Sequence, residues 1–174
     1  MLKEIAPNVK HVAIVFNPEA AAVVDPFSRS AQAAAHPLAV DTVAVPIHES
    51  SNVIEVLSNL LHEPDWGLML LPDIFVASRR KSILEITARY RVPAIYPYRF
   101  FVDEGGLISY GTDPINQFVQ AAEYVDRILR GTTPGELPVQ APTKYELVIN
   151  LKTAKALGLD VPPQLQQLAD DVIE

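Results

Sequence analysis

Residues Gly67–Leu71 read GLMLL, and Pro72-Asp73 follow at once. Five apolar residues with no polar alternation, closed by a proline, predict a short strand buried on both faces. A strand of that kind suits a parallel sheet with helices above and below it. The flanking segments agree. His11–Phe16 (HVAIVF) is β-branched and ends in Asn17-Pro18, a strand followed by a turn. Val40–Ile47 alternates as a strand, Pro93–Tyr96 is a fourth and Leu107–Tyr110 a fifth. Helical patterns fall between them. Pro26–His36 is Ala-rich, with Asp25 as cap and Pro26 in the first turn. Ser50–His62 carries Val53, Val56, Leu57, Leu60 and Leu61 on one face, and Val76–Tyr90 a stripe of Val76, Ile83, Leu84, Thr87 and Tyr90. Strand and helix alternate with short connections, so the chain reads as α/β: a doubly wound, mainly parallel sheet flanked by helices, with right-handed crossovers.

The pattern changes after residue 112. Asp113-Pro114 is a cap with a first-turn proline. Ile115, Phe118, Val119, Ala122, Val125, Ile128 and Leu129 then recur at helical spacing until Gly131. Thr132–Pro142 is a proline-rich crossing segment, Tyr145–Asn150 a sixth strand, and Lys152–Leu157 and Pro163–Ile173 are expected as closing helices. The expected division is 1–112 for the main α/β unit, 113–142 for the amphipathic helix and crossing, and 143–174 for a strand and helices returning to the same unit.

A chain of 174 residues, 49% hydrophobic and 20% charged, can build one packed core. Its net charge of −7 argues against nucleic acid as a partner. The basic run Arg79-Arg80-Lys81 reads as a solvated helix face. Without cysteine there is no thiol nucleophile, disulfide or thiolate metal site. The opening MLKEIAPNVKHVAIVF lacks the pattern of a signal peptide, and no apolar run approaches the ~20 residues of a membrane span. A soluble chain is therefore expected, cytoplasmic if this is the complete gene product.

Ligands of an open α/β sheet bind beyond the carboxyl ends of its strands. Those positions hold Asn17, His48, Asp73 with Phe75, Tyr96 with Tyr98 and Arg99, and Tyr110. Carboxylates grip ammonium groups, aromatic faces sandwich apolar or cationic groups, and arginine holds carboxylates. Each residue also has a structural reading. Asn17 can simply turn the chain, Asp73 can cap the helix after it, Tyr96 and Tyr98 can be core-edge rings, and Arg99 can pair with Asp103 or Glu104. Phe100 and Phe101 are expected to anchor the segment to the core, with Gly105-Gly106 turning it into the fifth strand. His48-Glu49 is a weak acid–base candidate. There is no GxGxxG, GxxxxGK[ST], GxSxG or HExxH, so neither nucleotide cofactor nor metal is expected. Glu19 beside Asn17-Pro18 would also repel phosphate. Binding without turnover is the favoured reading, ahead of a flavodoxin-like or Rossmann-like enzyme using His48 and Asp73.

Three runs carry a resemblance: LPDIF at 71–75, PAIYPYRFFVDEGGLISYG at 93–111 and LPVQAPTKYELVINLKTAKALGLDVPP at 137–163. Together they resemble the ABC transporter substrate-binding protein family, which includes periplasmic tryptophan- and phenylalanine-type receptors. The resemblance covers essentially the whole chain and implies one lobe, the C-terminal one, of a type I periplasmic-binding fold. It further implies a periplasmic receptor that closes two lobes on a ligand by hinge motion and partners an ABC permease. Asn17, Asp73, Phe75, Tyr96, Tyr98, Arg99 and Tyr110 would be this lobe's half of the cleft, with Asp73 suited to an amino-acid ammonium. A ligand-sensing regulatory domain of the same fold is the other reading. Without a first lobe, the stripe on helix 113–130 lacks its partner, and a homodimer through that helix, by packing or by exchange, is expected.

Overall fold

The computed structural model describes residues 1–48 and 51–174. Seven strands form one sheet in the order β2-β1-β3-β4-β5-β6-β7. They are β1 (His11–Phe16), β2 (Asp41–Pro46), β3 (Trp66–Leu70), β4 (Ala94–Tyr96), β5 (Ile108–Thr112), β6 (Tyr145–Asn150) and β7 (Asp171–Ile173). The first five are mutually parallel. β6 runs antiparallel to β5, and β7 lies parallel to β6.

The pleat sends alternate residues of β1 and β3 to opposite faces. Ala13, Val15, Leu68 and Leu70 join one buried cluster with Leu57 of α3 (Val53–Leu60) and Ile83 and Ile86 of α5 (Arg80–Tyr90). Ile14 points the other way, toward Val24 of α2 (Ala21–Ala35). On that second face Ile95, Ile108 and Ile149 meet Ile5 of α1 (Leu2–Ile5), Ala154 of α8 (Leu151–Leu157) and Leu165 of α9 (Pro163–Leu168). The doubly wound, mainly parallel sheet expected from GLMLL is therefore observed.

Boundaries differ at four places. The second helix starts at Ala21 and carries Pro26 inside it, so Asp25 is not its cap. The alanine-rich sequence on either side has enough helix propensity to run through the proline. Ser50 and Glu49 lie outside the described residues. The third helix is capped by Asn52, whose side-chain oxygen accepts the Glu55 amide at 3.4 Å. The stretch expected as one helix over Val76–Tyr90 is two, α4 (Ile74–Ser78) and α5, broken at Arg79. The Ser78 hydroxyl donates to the Phe75 carbonyl at 2.6 Å and closes the first turn early. Finally, residues 171–173 are a strand and not the end of a helix. The Leu147 amide donates to the Asp170 carboxylate and the Asp170 amide to the Leu147 carbonyl, which starts a ladder that Val172 and Ile173 continue.

A short helix, α6 (Arg99–Asp103), follows β4. Helix α7 (Pro114–Leu129) is capped as expected, with the Asp113 carboxylate accepting the Ile115 and Asn116 amides. None of its residues is buried. Among the described residues, no helix is long and apolar enough to cross a membrane.

Because Leu68 and Leu70 of β3 are fully buried, truncation there is costly. Leu68→Ala should destabilise by about 2–5 kcal/mol in urea unfolding, as a cavity left in close-packed surroundings does. Met69→Leu, which conserves volume, should cost less than about 1.5 kcal/mol.

Candidate functional site

The carboxyl ends of β3, β4 and β5 converge on an open groove of about 380 Å³. Ile74 and Ala77 of α4 form one bank, Tyr98 and Phe100 the floor, and Thr112, Pro114 and Gln117 the other bank. Asp73 stands at the head of α4. One carboxylate oxygen accepts the Val76 amide at 2.7 Å, which caps the helix. The other makes no hydrogen bond among the described residues. The Tyr98 hydroxyl is held above the ordinary tyrosine pKa by partial burial and, second, by the negative charge of Asp73. Asp73 and Tyr98 therefore share one electrostatic environment.

The floor is the end of a column of rings. Tyr96 stacks on Phe101 with centroids 4.8 Å apart, Phe101 on Phe100 at 5.1 Å, and Phe100 on Tyr98 at 5.2 Å. Tyr96 and Phe101 are fully buried, whereas Tyr98 and Phe100 are half-exposed. The Tyr96 hydroxyl pairs with the Thr87 hydroxyl at 3.1 Å, and burial pushes its pKa far up. Arg80 lies over the Phe100 ring and pairs with Glu104 at 2.6 Å.

Of the residues singled out in the sequence, Tyr98 lines this groove and Asp73 flanks it. Phe75 sits half-buried under the Arg79 guanidinium, 4.9 Å from its ring centroid. Asn17 is buried and its side chain accepts the Glu19 amide at 3.0 Å, the turn-forming role. Tyr110 is paired with Tyr145, ring centroids 5.8 Å apart, outside the groove lining. One reading needs correction: Tyr96 is a core ring with no surface for a ligand. Arg99 is engaged by three carboxylates: Asp103 at 3.4 Å, Glu146 of β6 at 2.9 Å and Asp171 of β7 at 2.5 Å. The hydrogen bonds it donates to the Asp171 and Glu146 carboxylates hold its guanidinium more firmly charged than usual. Phe100 anchors the segment to the core as expected, stacking on Phe101, and also lines the groove. Ile74, Ala77, Thr112, Pro114 and Gln117 were not anticipated. Contiguity of Ile74 with Asp73 was the one available signal, since the others meet only through the fold.

His48 presents its backbone amide to the Ser51 hydroxyl at 3.0 Å, and its neighbour Glu49 lies outside the described residues. Among the described residues no cluster of three potential metal ligands occurs. A second cavity of about 270 Å³ lies across the sheet, between α2 and strands β1 to β4. It is almost wholly apolar, and the Lys3 ammonium at its rim is tied to the carbonyls of Pro7 and Val9. It offers nothing to orient a polar ligand.

The chain matches the model of the ABC transporter substrate binding protein family over residues 1–173. It is 25% identical over 163 residues to a tyrosine-binding protein of Clostridioides difficile, covering 91% of this chain and 46% of that one. Among solved structures, a conserved domain protein from Vibrio cholerae is 29% identical with TM-score 0.87, over 98% of this chain and 57% of that one. An ABC domain from Streptococcus pneumoniae in complex with L-Trp is 20% identical with TM-score 0.89, over 99% and 58%. The chain thus spans about half the length of the relatives it matches.

Asn caps helices as well as Asp does. Asp73→Asn should therefore leave thermal stability nearly unchanged, while Asp73→Ala costs about 1 kcal/mol. Removing the charge in Asp73→Asn should also lower the Tyr98 ionisation part of the way to its ordinary value, read by tyrosinate absorbance against Tyr98→Phe.

Proposed function

The chain belongs to the ABC transporter substrate binding protein family, whose members bind and do not catalyse, and on that premise we propose that it forms one wall of a solute receptor's ligand cleft. The ligand is an amino acid with an aromatic side chain. The single observation that carries this is the groove at the carboxyl edge of the sheet, floored by Tyr98 and Phe100 with Asp73 at its rim. The two rings offer faces for an aromatic side chain, and the free oxygen of Asp73 offers an acceptor for an ammonium. The names of two similar proteins, one tyrosine-binding and one complexed with L-Trp, support the same class. Family membership leaves no place for an enzyme built on His48 and Asp73.

In this reading the chain is one lobe, and the opposite wall comes from the half of the relatives' length that it does not span. The receptor works outside the cytoplasmic membrane and delivers to an ABC permease. Asn17, Phe75 and Tyr110 act at the margins of the cleft. The exposed face of α7 also belongs to this proposal. Ile115, Phe118 and Leu129 are 76%, 77% and 81% exposed, and each such side chain is worth about 1.5–3 kcal/mol when buried. Isolated in solution, the chain covers this face with a second copy of itself.

Calorimetry of the full-length receptor against L-tryptophan, L-tyrosine, L-phenylalanine and L-leucine tests the ligand. The aromatic three should bind, and Tyr98→Ala should weaken them about tenfold or more, as loss of a central aromatic contact does. A silent panel rejects the amino-acid ligand. For the isolated chain, light scattering should give twice the monomer mass, and Phe118→Glu should return it to the monomer; a monomeric wild type at micromolar concentration removes the dimer.

A further inference from the structure

The groove's floor is placed by residues that do not touch it. Gly111 is the fourth of the five residues of β5, and glycine inside a strand weakens it and often marks a close backbone approach. Here the approach is extreme: a β-carbon at 111 would lie 2.0 Å from the Pro97 carbonyl oxygen. Any larger residue forces Pro97 away from β5, and Pro97 carries Tyr98 with it. From below, Phe101 is fully buried and stacked on both sides, against Tyr96 and against Phe100. Phe100 in turn stacks on Tyr98. From outside, Arg99 ties the same turn to β6 and β7 through Glu146 and Asp171.

We infer that Gly111 and Phe101 are positioning residues of the groove, acting through Pro97 and Phe100 to fix where the Tyr98 ring stands. The inference rests on the reading of the groove as a ligand wall, but its first readout does not. Gly111→Ala opens the contact with Pro97, and Phe101→Leu keeps an apolar side chain while ending the stack.

Full-length receptor with ring-labelled tyrosine is followed by carbon NMR through an alkaline titration, and Tyr98 is assigned with Tyr98→Phe. Both variants should move the Tyr98 resonance and shift its ionisation down toward the ordinary value near 10. Tyr90 and Tyr124, on α5 and α7, should stay where they are in the wild type. Affinity for L-tryptophan should fall with the Tyr98 shift. Where Gly111→Ala does not fold, Phe101→Leu decides. A purely structural role would lower the melting temperature and leave the Tyr98 resonance and ionisation unchanged, and that result overturns the inference. So does a displaced Tyr98 with undiminished L-tryptophan affinity. If Tyr98 shifts while the wild type ignores every aromatic amino acid, the ligand reading falls and the positioning role stands.

Discussion

Strand β3 packs against helices on both faces, and much of the molecule follows from that. Leu68 and Leu70 need helices on one side of the sheet, and Met69 needs them on the other. Parallel neighbours need crossovers, and the crossovers are those helices. With both faces covered, the carboxyl edge is where the connections gather, and polar and aromatic side chains collect there without disturbing the core. The groove is a by-product of how a two-sided sheet must be closed.

The segment between β4 and β5 links that core to the groove. Tyr96, the last residue of β4, is sealed in and held by Thr87. Two residues later Tyr98 is half-exposed. The four rings between and including them form one stack, so rigidity of the core is passed outward ring by ring. Aromatic side chains suit this task because a ring has few torsions to freeze and a large face to pack. Arg99 adds an outer tie, partly exposed and accordingly weaker under salt than its three short contacts suggest.

Helix α7 stands apart from both. Its cap is well made and its stripe is regular, yet no residue in it is buried. Local signals therefore sufficed to form the helix without burial of its stripe. The same separation appears at the C-terminus. Val172 and Ile173 fit a helical stripe by spacing, and the edge of β6 captured them as a strand because it had unpaired backbone groups to offer.

Periodicity, caps and unbroken apolar runs by themselves determined the fold class, the first six strand positions to within a residue or two, the caps at Asp73 and Asp113, and the edge of the sheet at which to look. These signals are local: each depends on residues within a turn or a strand of one another. What only the tertiary structure decided was which side chains reach that edge. Tyr96 and Tyr98 are two apart, and one is core while the other is groove, because the chain leaves the pleat between them at Pro97. Arg99 pairs with Asp103 as the sequence allowed, but its shorter contacts are to Glu146 and Asp171, partners 47 and 72 residues away. Thr112 and Gln117 meet Ile74 and Ala77 across the sheet order, and Gly111 matters because of the Pro97 carbonyl in the turn after β4. Such contacts are set by which strands become neighbours, and that depends on the packing of the whole sheet.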